Sequence, residues 1–243
     1  IVQPYLQEHA CLGDLARVIR QASDLPVIAV GRIVDLDAAE RLLQDGSADL
    51  VSMGRALIAD PDLPRKAAEK NAPAIRPCLG CNVCIQFVGV KQTRCAVNPE
   101  MGEETTQVPD PEPGHIVVIG GGPAGLEAAL TAADRGRQVT LLERESILGG
   151  QLKLAAGFPS KPHFQRLLDY YLEKVDRAEI QIHLDTVVNL DLVRLLQPDS
   201  LIVATGGVPR PLILDGSAPH EHVVQATEIL ATRESLTGEV VVV

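Results

Sequence analysis

Three cysteines crowd one short stretch, "RPCLGCNVCIQ" at residues 76–86, in a chain of 243 residues that has only five. Cys78, Cys81 and Cys84 form C-x2-C-x2-C, and Cys95 follows after ten intervening residues. A 4Fe–4S cube has four irons, each wanting one thiolate; a tight loop can ligate three while a more distant cysteine closes the fourth corner. Gly80 lets such a loop wrap without side-chain clashes, so that backbone N–H groups face the sulfides. Structural zinc is the alternative, but zinc sites usually pair two separated C-x2–4-C knuckles. Three cysteines on one loop suit a cube better. Disulfides fit poorly with the reducing, cytoplasmic setting that this thiol usage suggests. Cys11, isolated in the first helix, reads as a plain buried residue.

A second chemistry lies further on. Gly120, Gly122 and Gly125 make G-x-G-x-x-G between an apolar run and an alanine-rich segment. In a strand–turn–helix the first glycine makes the turn and the second admits a pyrophosphate. The third lets helix and strand pack closely. Glu143 closes the next apolar run, 18 residues beyond Gly125, where a carboxylate can bind adenosine ribose hydroxyls. An acid there disfavours a 2′-phosphate, so FAD, NAD or ADP is expected rather than NADP. "LIVATGG" (201–207) is a buried strand whose glycine exit brings bare backbone close to a dinucleotide. Earlier, two apolar runs lead into Gly-Arg pairs, Gly31-Arg32 and Gly54-Arg55. Glycine at a strand's end admits an anion to backbone N–H groups, and arginine adds a charged fork. In a (β/α)8 barrel the loops after strands 7 and 8 are where phosphate sits, so Arg32 and Arg55 are expected to converge on one anion.

The elements that must position these groups alternate. "CLGDLARVIRQAS" has helical spacing of Leu12, Leu15, Val18 and Ile19, "PVIAVGR" suits a doubly covered parallel strand, and "DLDAAERLLQDG" is a helix from a capping Asp to Gly46. "ADLVSMGRALI" reads as the next strand. Residues 61–110 read as a proline-punctuated connector ending in the acidic "NPEMGEETTQVPDPEPG". After it come strand, turn, helix and strand in "HIVVIGGGPAGLEAALTAADRGRQVTLLER", then strands "EIQIHLD", "SLIVATGG" and "GEVVVV". Alternation of this kind is α/β architecture.

Composition narrows the classes of partner. The formal net charge is −10, aromatic residues make up 2% and there is no Trp, which argues against a basic, base-stacking nucleic-acid surface. No apolar run approaches the length of a membrane span, and the opening residues show no signal-peptide pattern. The chain opens on Ile1 inside what reads as a helical region and closes on a strand. It therefore reads as an internal piece of a longer polypeptide.

In this order the motifs resemble the iron–sulfur flavoenzymes of the 2,4-dienoyl-CoA reductase and trimethylamine dehydrogenase family, which join an old-yellow-enzyme-like barrel to an FAD/NAD-binding domain. The marks are "PVIAVGRI", "ADLVSMGRALIADPDLPRK", "CLGCNVC" with Cys95, "CAVNPEMGEE", "GGGPAGLEAA", "ILGGQLKLAAGFPSK" and "ATGGVPR". The resemblance implies the end of an FMN-binding (β/α)8 TIM barrel (1–70), an iron–sulfur cluster linker (71–110) and a Rossmann-like FAD/NAD(P)-binding domain (111–235). The first strand of a nicotinamide-binding subdomain would follow (236–243). It implies FMN phosphate on Arg32, Gly54 and Arg55, and a 4Fe–4S cluster on Cys78, Cys81, Cys84 and Cys95. FAD would lie on Gly120, Gly122, Ala124, Gly125, Glu143, Gln151, Lys161 and Val188. The implied activity takes electrons from NAD(P)H through FAD and the cluster to FMN, which reduces an α,β-unsaturated, enoyl- or dienoyl-CoA-like small molecule.

The substrate-side acid of the barrel would lie outside this chain, so no catalytic residue is assigned. Gln151 and Lys161 resemble the reductase branch, which holds a whole FAD. The two-residue gap between Cys81 and Cys84 instead resembles the amine dehydrogenases, which carry ADP and export electrons to a partner electron-transfer flavoprotein. A non-catalytic electron carrier is the third reading, and homo-oligomerisation stays open.

Overall fold

The computed structural model describes all residues except 1, 2, 5, 87, 88, 90–92, 107–111, 159, 211–224 and 233–243. The chain divides into two units, Ile1–Pro111 with His163–Arg177, and Glu112–Pro162 with Ala178–Val243. In chain order the first stretch contains α1 (Gly13–Ala22), β1 (Ile28–Ala29), α2 (Leu36–Gln44), β2 (Leu50–Val51), α3 (Gly54–Ala59), α4 (Leu63–Ala68) and α5 (Val83–Gln86). Then follow β3 (His115–Ile119), α6 (Pro123–Asp134), β4 (Gln138–Leu142), α7 (Gln151–Ala156), α8 (Pro162–Arg177), β5 (Ile180–His183), α9 (Leu190–Leu196), β6 (Ser200–Val203) and α10 (Ala226–Thr232).

In the first unit β1 and β2 pair in parallel, Ile28 with Leu50 and Ala29 with Val51. Its core is alanine-rich, Ala16, Ala29, Ala39 and Ala48 around Ile33 and Leu42. The structure departs here from the expected apolar face of α1. Leu15, Val18 and Ile19 are exposed, and the helix packs instead through Gly13 and Ala16. A Cβ at Gly13 would stand 2.6 Å from Leu42, so close approach to α2 runs along the small-residue stripe. Two strands cannot close a barrel alone, so the apolar faces that would meet its other strands and helices are expected to be partly uncovered. For the same reason the "PVIAVGR" strand is covered on one face only: Ala29 is 1% exposed while Ile28 and Val30 are each 58% exposed. The long strand expected over "ADLVSMGRALI" is two residues of strand, after which the helix formers from Gly54 onward begin α3. The described residues ahead of Gly13 form turns rather than a helix, so Cys11 lies before α1 and is half-buried, and the connector carries α4, entered through Leu63 and Pro64.

Asp35 caps α2 as expected, accepting from the Ala38 N–H at 2.7 Å. Its other oxygen lies 2.5 Å from His9 Nδ1 and accepts from Arg166 Nη1 at 2.6 Å. Burial works against ionisation, but these hydrogen bonds outweigh it and hold the Asp35 carboxyl well below the usual carboxylate range. A depressed folded-state pKa contributes stability that is present above the unfolded value of about 3.9 and is lost as pH falls through the folded one. Acid unfolding followed by circular dichroism is therefore expected to begin at higher pH in Asp35→Asn than in the wild type.

The second unit is a four-stranded parallel sheet in the order β5-β4-β3-β6. Val117 and Val118 of β3 and Val139 and Leu141 of β4 are wholly buried, with Leu126 and Ala129 of α6 against them. The chain runs outward from β3 to β5 and returns to place β6 on the other side of β3. Such a reversal opens a crevice beyond the carboxyl end of β3, where ligands bind in open α/β sheets. The strand expected from "GEVVVV" lies outside the described residues. Among the described residues no helix is long and apolar enough to cross a membrane.

Candidate cofactor sites

The crevice beyond β3 is a cavity of about 690 Å3. Gly120, Gly122, Ala124, Glu143 and Gln151 line it, with Gly206 and Gly207 from the "ATGG" exit. Each glycine of the turn answers a different contact. Gly120 has φ +106, and a Cβ there would meet Ala204 O at 2.4 Å. At Gly125 a Cβ would fall 1.8 Å from Gly120 O, which is the close packing of α6 on β3. At Gly122 a Cβ would meet nothing nearer than Gly150 Cα at 3.9 Å, so its bare backbone faces the cavity. Gly122 is also the N-cap of the 12-residue α6, whose free N–H groups and dipole favour a pyrophosphate.

Glu143 is 6% exposed. Its Oε2 accepts from Gly121 N at 2.5 Å and its Oε1 from Glu145 N at 2.8 Å. A carboxylate has about four lone-pair sites, so acceptor capacity remains for a ribose. Gln151 Nε2 donates to Gly207 O at 2.6 Å, spanning the far part of the cavity. Lys161 and Val188 do not line it. Lys161 lies over the Phe158 ring at 5.1 Å, and Val188 follows a segment attached to Glu143 through backbone, Thr186 N to Glu143 O. The wall also includes Arg144, Lys153 and, from α10, Leu230 and Ala231. Sequence reasoning missed these, and only the position of Arg144 beside Glu143 offered a signal.

In the first unit Arg32 and Arg55 follow parallel strands and leave the sheet at the same end. Arg32 Nη1 donates to Pro4 O and Arg55 Nη1 to Gln3 O, each at 2.6 Å. Burial and the neighbouring Arg55 charge pull the Arg32 pKa down. Two cations thus share one field, which an anion would relieve. Gly54 opens α3, and a Cβ added there would meet nothing within 4 Å.

The four cysteines of the loop are free thiols, with Cys84 buried and Cys78, Cys81 and Cys95 half-buried. Burial pushes the Cys78 and Cys84 thiols up; Cys95 and Cys81 add to the rise and Arg55 opposes it. Cys81 and Cys95 thus bear on both Cys78 and Cys84. Among the described residues no group of three or more His, Cys, Asp and Glu side chains is placed to hold a metal ion. Gly80 at φ +66 and Asn82 at φ +62 turn the loop, and Gly80 N donates to Cys78 Sγ at 3.4 Å.

Both arms of this loop are fastened to α3, a feature that carried no chemical signal in the sequence. Buried Asp60 accepts from Arg76 N at 2.8 Å and Lys66 Nζ at 2.6 Å. The Arg76 guanidinium donates to Val97 O, and Asn98 Nδ2 donates to Ile58 O at 2.9 Å.

Residues 114–243 match the pyridine nucleotide-disulphide oxidoreductases, and residues 5–73 match the NADH:flavin oxidoreductase / NADH oxidase family. The chain belongs to the pyridine nucleotide-disulphide oxidoreductase family, here joined to an NADH:flavin oxidoreductase segment, as in the iron–sulfur flavoenzymes it resembles. The NADH oxidase of Thermoanaerobacter brockii is 38% identical over 100% of this chain and 39% of its own length. The 2-naphthoyl-CoA reductase, solved with 2-naphthoyl-CoA, aligns at TM-score 0.89 and 30% identity over 98% of this chain and 37% of that one. Histamine dehydrogenase from Rhizobium sp. 4-9 aligns at TM-score 0.82 and 29% identity over 96% of this chain and 36% of that one. The chain thus spans under two-fifths of the length of these relatives. The fold is α/β, the end of a (β/α)8 barrel followed by a Rossmann-like domain.

Proposed function

We propose that the full-length protein is a cytoplasmic NAD(P)H-dependent flavin oxidoreductase that reduces an α,β-unsaturated, enoyl- or dienoyl-CoA-like thioester. The observation that carries this reading is the cavity itself: it continues from Glu143 past the Gly120–Gly125 turn to Gln151 and Gly207. Walls on both sides of the pyrophosphate turn suit a whole FAD better than ADP. The likeness to a solved acyl-CoA reductase supports the substrate class.

In this reading Glu143 accepts from the adenosine ribose, the α6 N-terminus binds the pyrophosphate, and Gln151 orders the far wall. Arg32, Gly54 and Arg55 hold an FMN phosphate, and Cys78, Cys81, Cys84 and Cys95 hold a 4Fe–4S cluster. When bound, these groups supply two-electron exchange at the flavins and one-electron transfer at the cluster. The assay is nicotinamide oxidation by the full-length protein. Turnover that depends on an added enoyl thioester supports the reading.

A second reading is favoured by the two-residue gap between Cys81 and Cys84 and by the likeness to histamine dehydrogenase. It is an amine dehydrogenase carrying ADP and passing electrons to a partner flavoprotein, and amine-dependent dye reduction without nicotinamide would select it. Glu143→Ala separates ribose binding from both. Unpaired ribose hydroxyls cost about 1–3 kcal/mol, or about five- to 150-fold in nucleotide affinity. Fluorescence titration of the apoprotein with FAD is the check.

A further inference from the structure

We propose that Asn82 is a positioning residue that couples the arginine pair to the cysteine loop, so that FMN phosphate and the cluster stabilise each other's binding. This rests on the assignment of those two sites given above.

Asn82 lies between Cys81 and Cys84 in the left-handed conformation, φ +62. Asparagine tolerates that conformation better than most residues, and here it also offers an acceptor. Its Oδ1 accepts from Arg55 Nη1 at 2.5 Å, and the same nitrogen donates to Gln3 O at 2.6 Å. A guanidinium is a rigid planar fork, so holding one nitrogen between two acceptors fixes where the others point. The Arg55 charge also reaches Cys78 and Cys84, and it bears on Arg32. Arg55 is thereby attached to both sites: to the anion site by position and to the cysteine loop by a hydrogen bond.

The consequence follows from rigidity. Ligation of Cys81 and Cys84 fixes the turn that carries Asn82, which fixes the aim of Arg55. An anion seated on Arg55 must, by thermodynamic reciprocity, favour the ligated loop by the same factor. Charge alone gives the opposite sign, because an anion on Arg55 offsets part of the positive field at Cys78 and Cys84. The sign of the coupling therefore distinguishes positioning from simple electrostatics.

The test uses the full-length protein and FMN affinity read by flavin fluorescence, with the cluster intact and after its removal by anaerobic chelation. In the wild type, cluster removal is expected to weaken FMN binding by about fivefold or more, the lower end of ordinary coupling. Asn82→Gly keeps the left-handed turn but removes the acceptor, and its factor should fall to about one while iron content is kept. Asn82→Asp, which restores an acceptor, should recover the wild-type factor. Wild-type FMN affinity that is unchanged or raised on cluster removal overturns the proposal, as does an undiminished factor in Asn82→Gly. The wild-type comparison decides the sign whatever the variants retain. A protein that never binds FMN or iron refutes the functional reading as well, whereas one that binds both independently refutes only the coupling.

Discussion

Cys84→Ser in the full-length protein is expected to empty the cluster site and to lower substrate reduction by more than about 100-fold, while reduction of the second-domain flavin by nicotinamide persists. Cys84 is the buried member of the four. Loss of even an outer-shell partner of a metal site costs about 10- to 100-fold, so loss of a ligand should exceed that range. Serine keeps the size of the side chain and removes the thiolate. Persistent flavin bleaching in stopped-flow absorbance excludes global unfolding as the cause. Unimpaired substrate reduction in Cys84→Ser would remove the cluster from the electron path.

The second large effect is expected at Gly125. An added methyl would sit 1.8 Å from Gly120 O, which is backbone and cannot swing aside. Gly125→Ala must push α6 off β3 at the place where Leu126 and Val118 are wholly buried. The expected destabilisation is about 3 kcal/mol or more, at the top of the range for overpacked sites. Gly122→Ala is the matched control. Its methyl would meet Gly150 Cα at 3.9 Å, an ordinary contact, on the face turned to the cavity. It should weaken nucleotide binding with little change in melting temperature. Thermal denaturation of the two variants side by side checks the pair, and equal stability would contradict the packing role of Gly125.

What can be read before folding divides along physical lines. The Gly120–Gly125 turn and the Asp35 cap are legible because each is a local device, set by residues near one another in the chain, and Glu143, 22 positions from Gly121, is legible because it directly follows the next parallel strand. The parallel pairing of β3, β4, β5 and β6 follows from alternation of apolar strands and helices. Leu15, Val18 and Ile19 form an apolar helix face that two strands of a barrel cannot cover, so their exposure does not contradict the periodicity. Gly13 and Ala16 make the buried contact of α1. The Gly54-Arg55 turn is expected at the end of a long strand, where the structure has a helix start. Asp60, Arg76, Asn82 and Asn98 are invisible as site residues in the sequence. Their roles depend on contacts with residues 16 to 40 positions away, as in Asp60 with Arg76 and Asn98 with Ile58.

Whether one polypeptide joins two flavins through a cluster is decided by the cofactor stoichiometry of the anaerobically purified full-length protein. Denatured protein resolved by chromatography and assayed for metal and acid-labile sulfide should give about one FAD, one FMN, four irons and four sulfides per chain. ADP in place of FAD, or a single zinc with no sulfide, would contradict it.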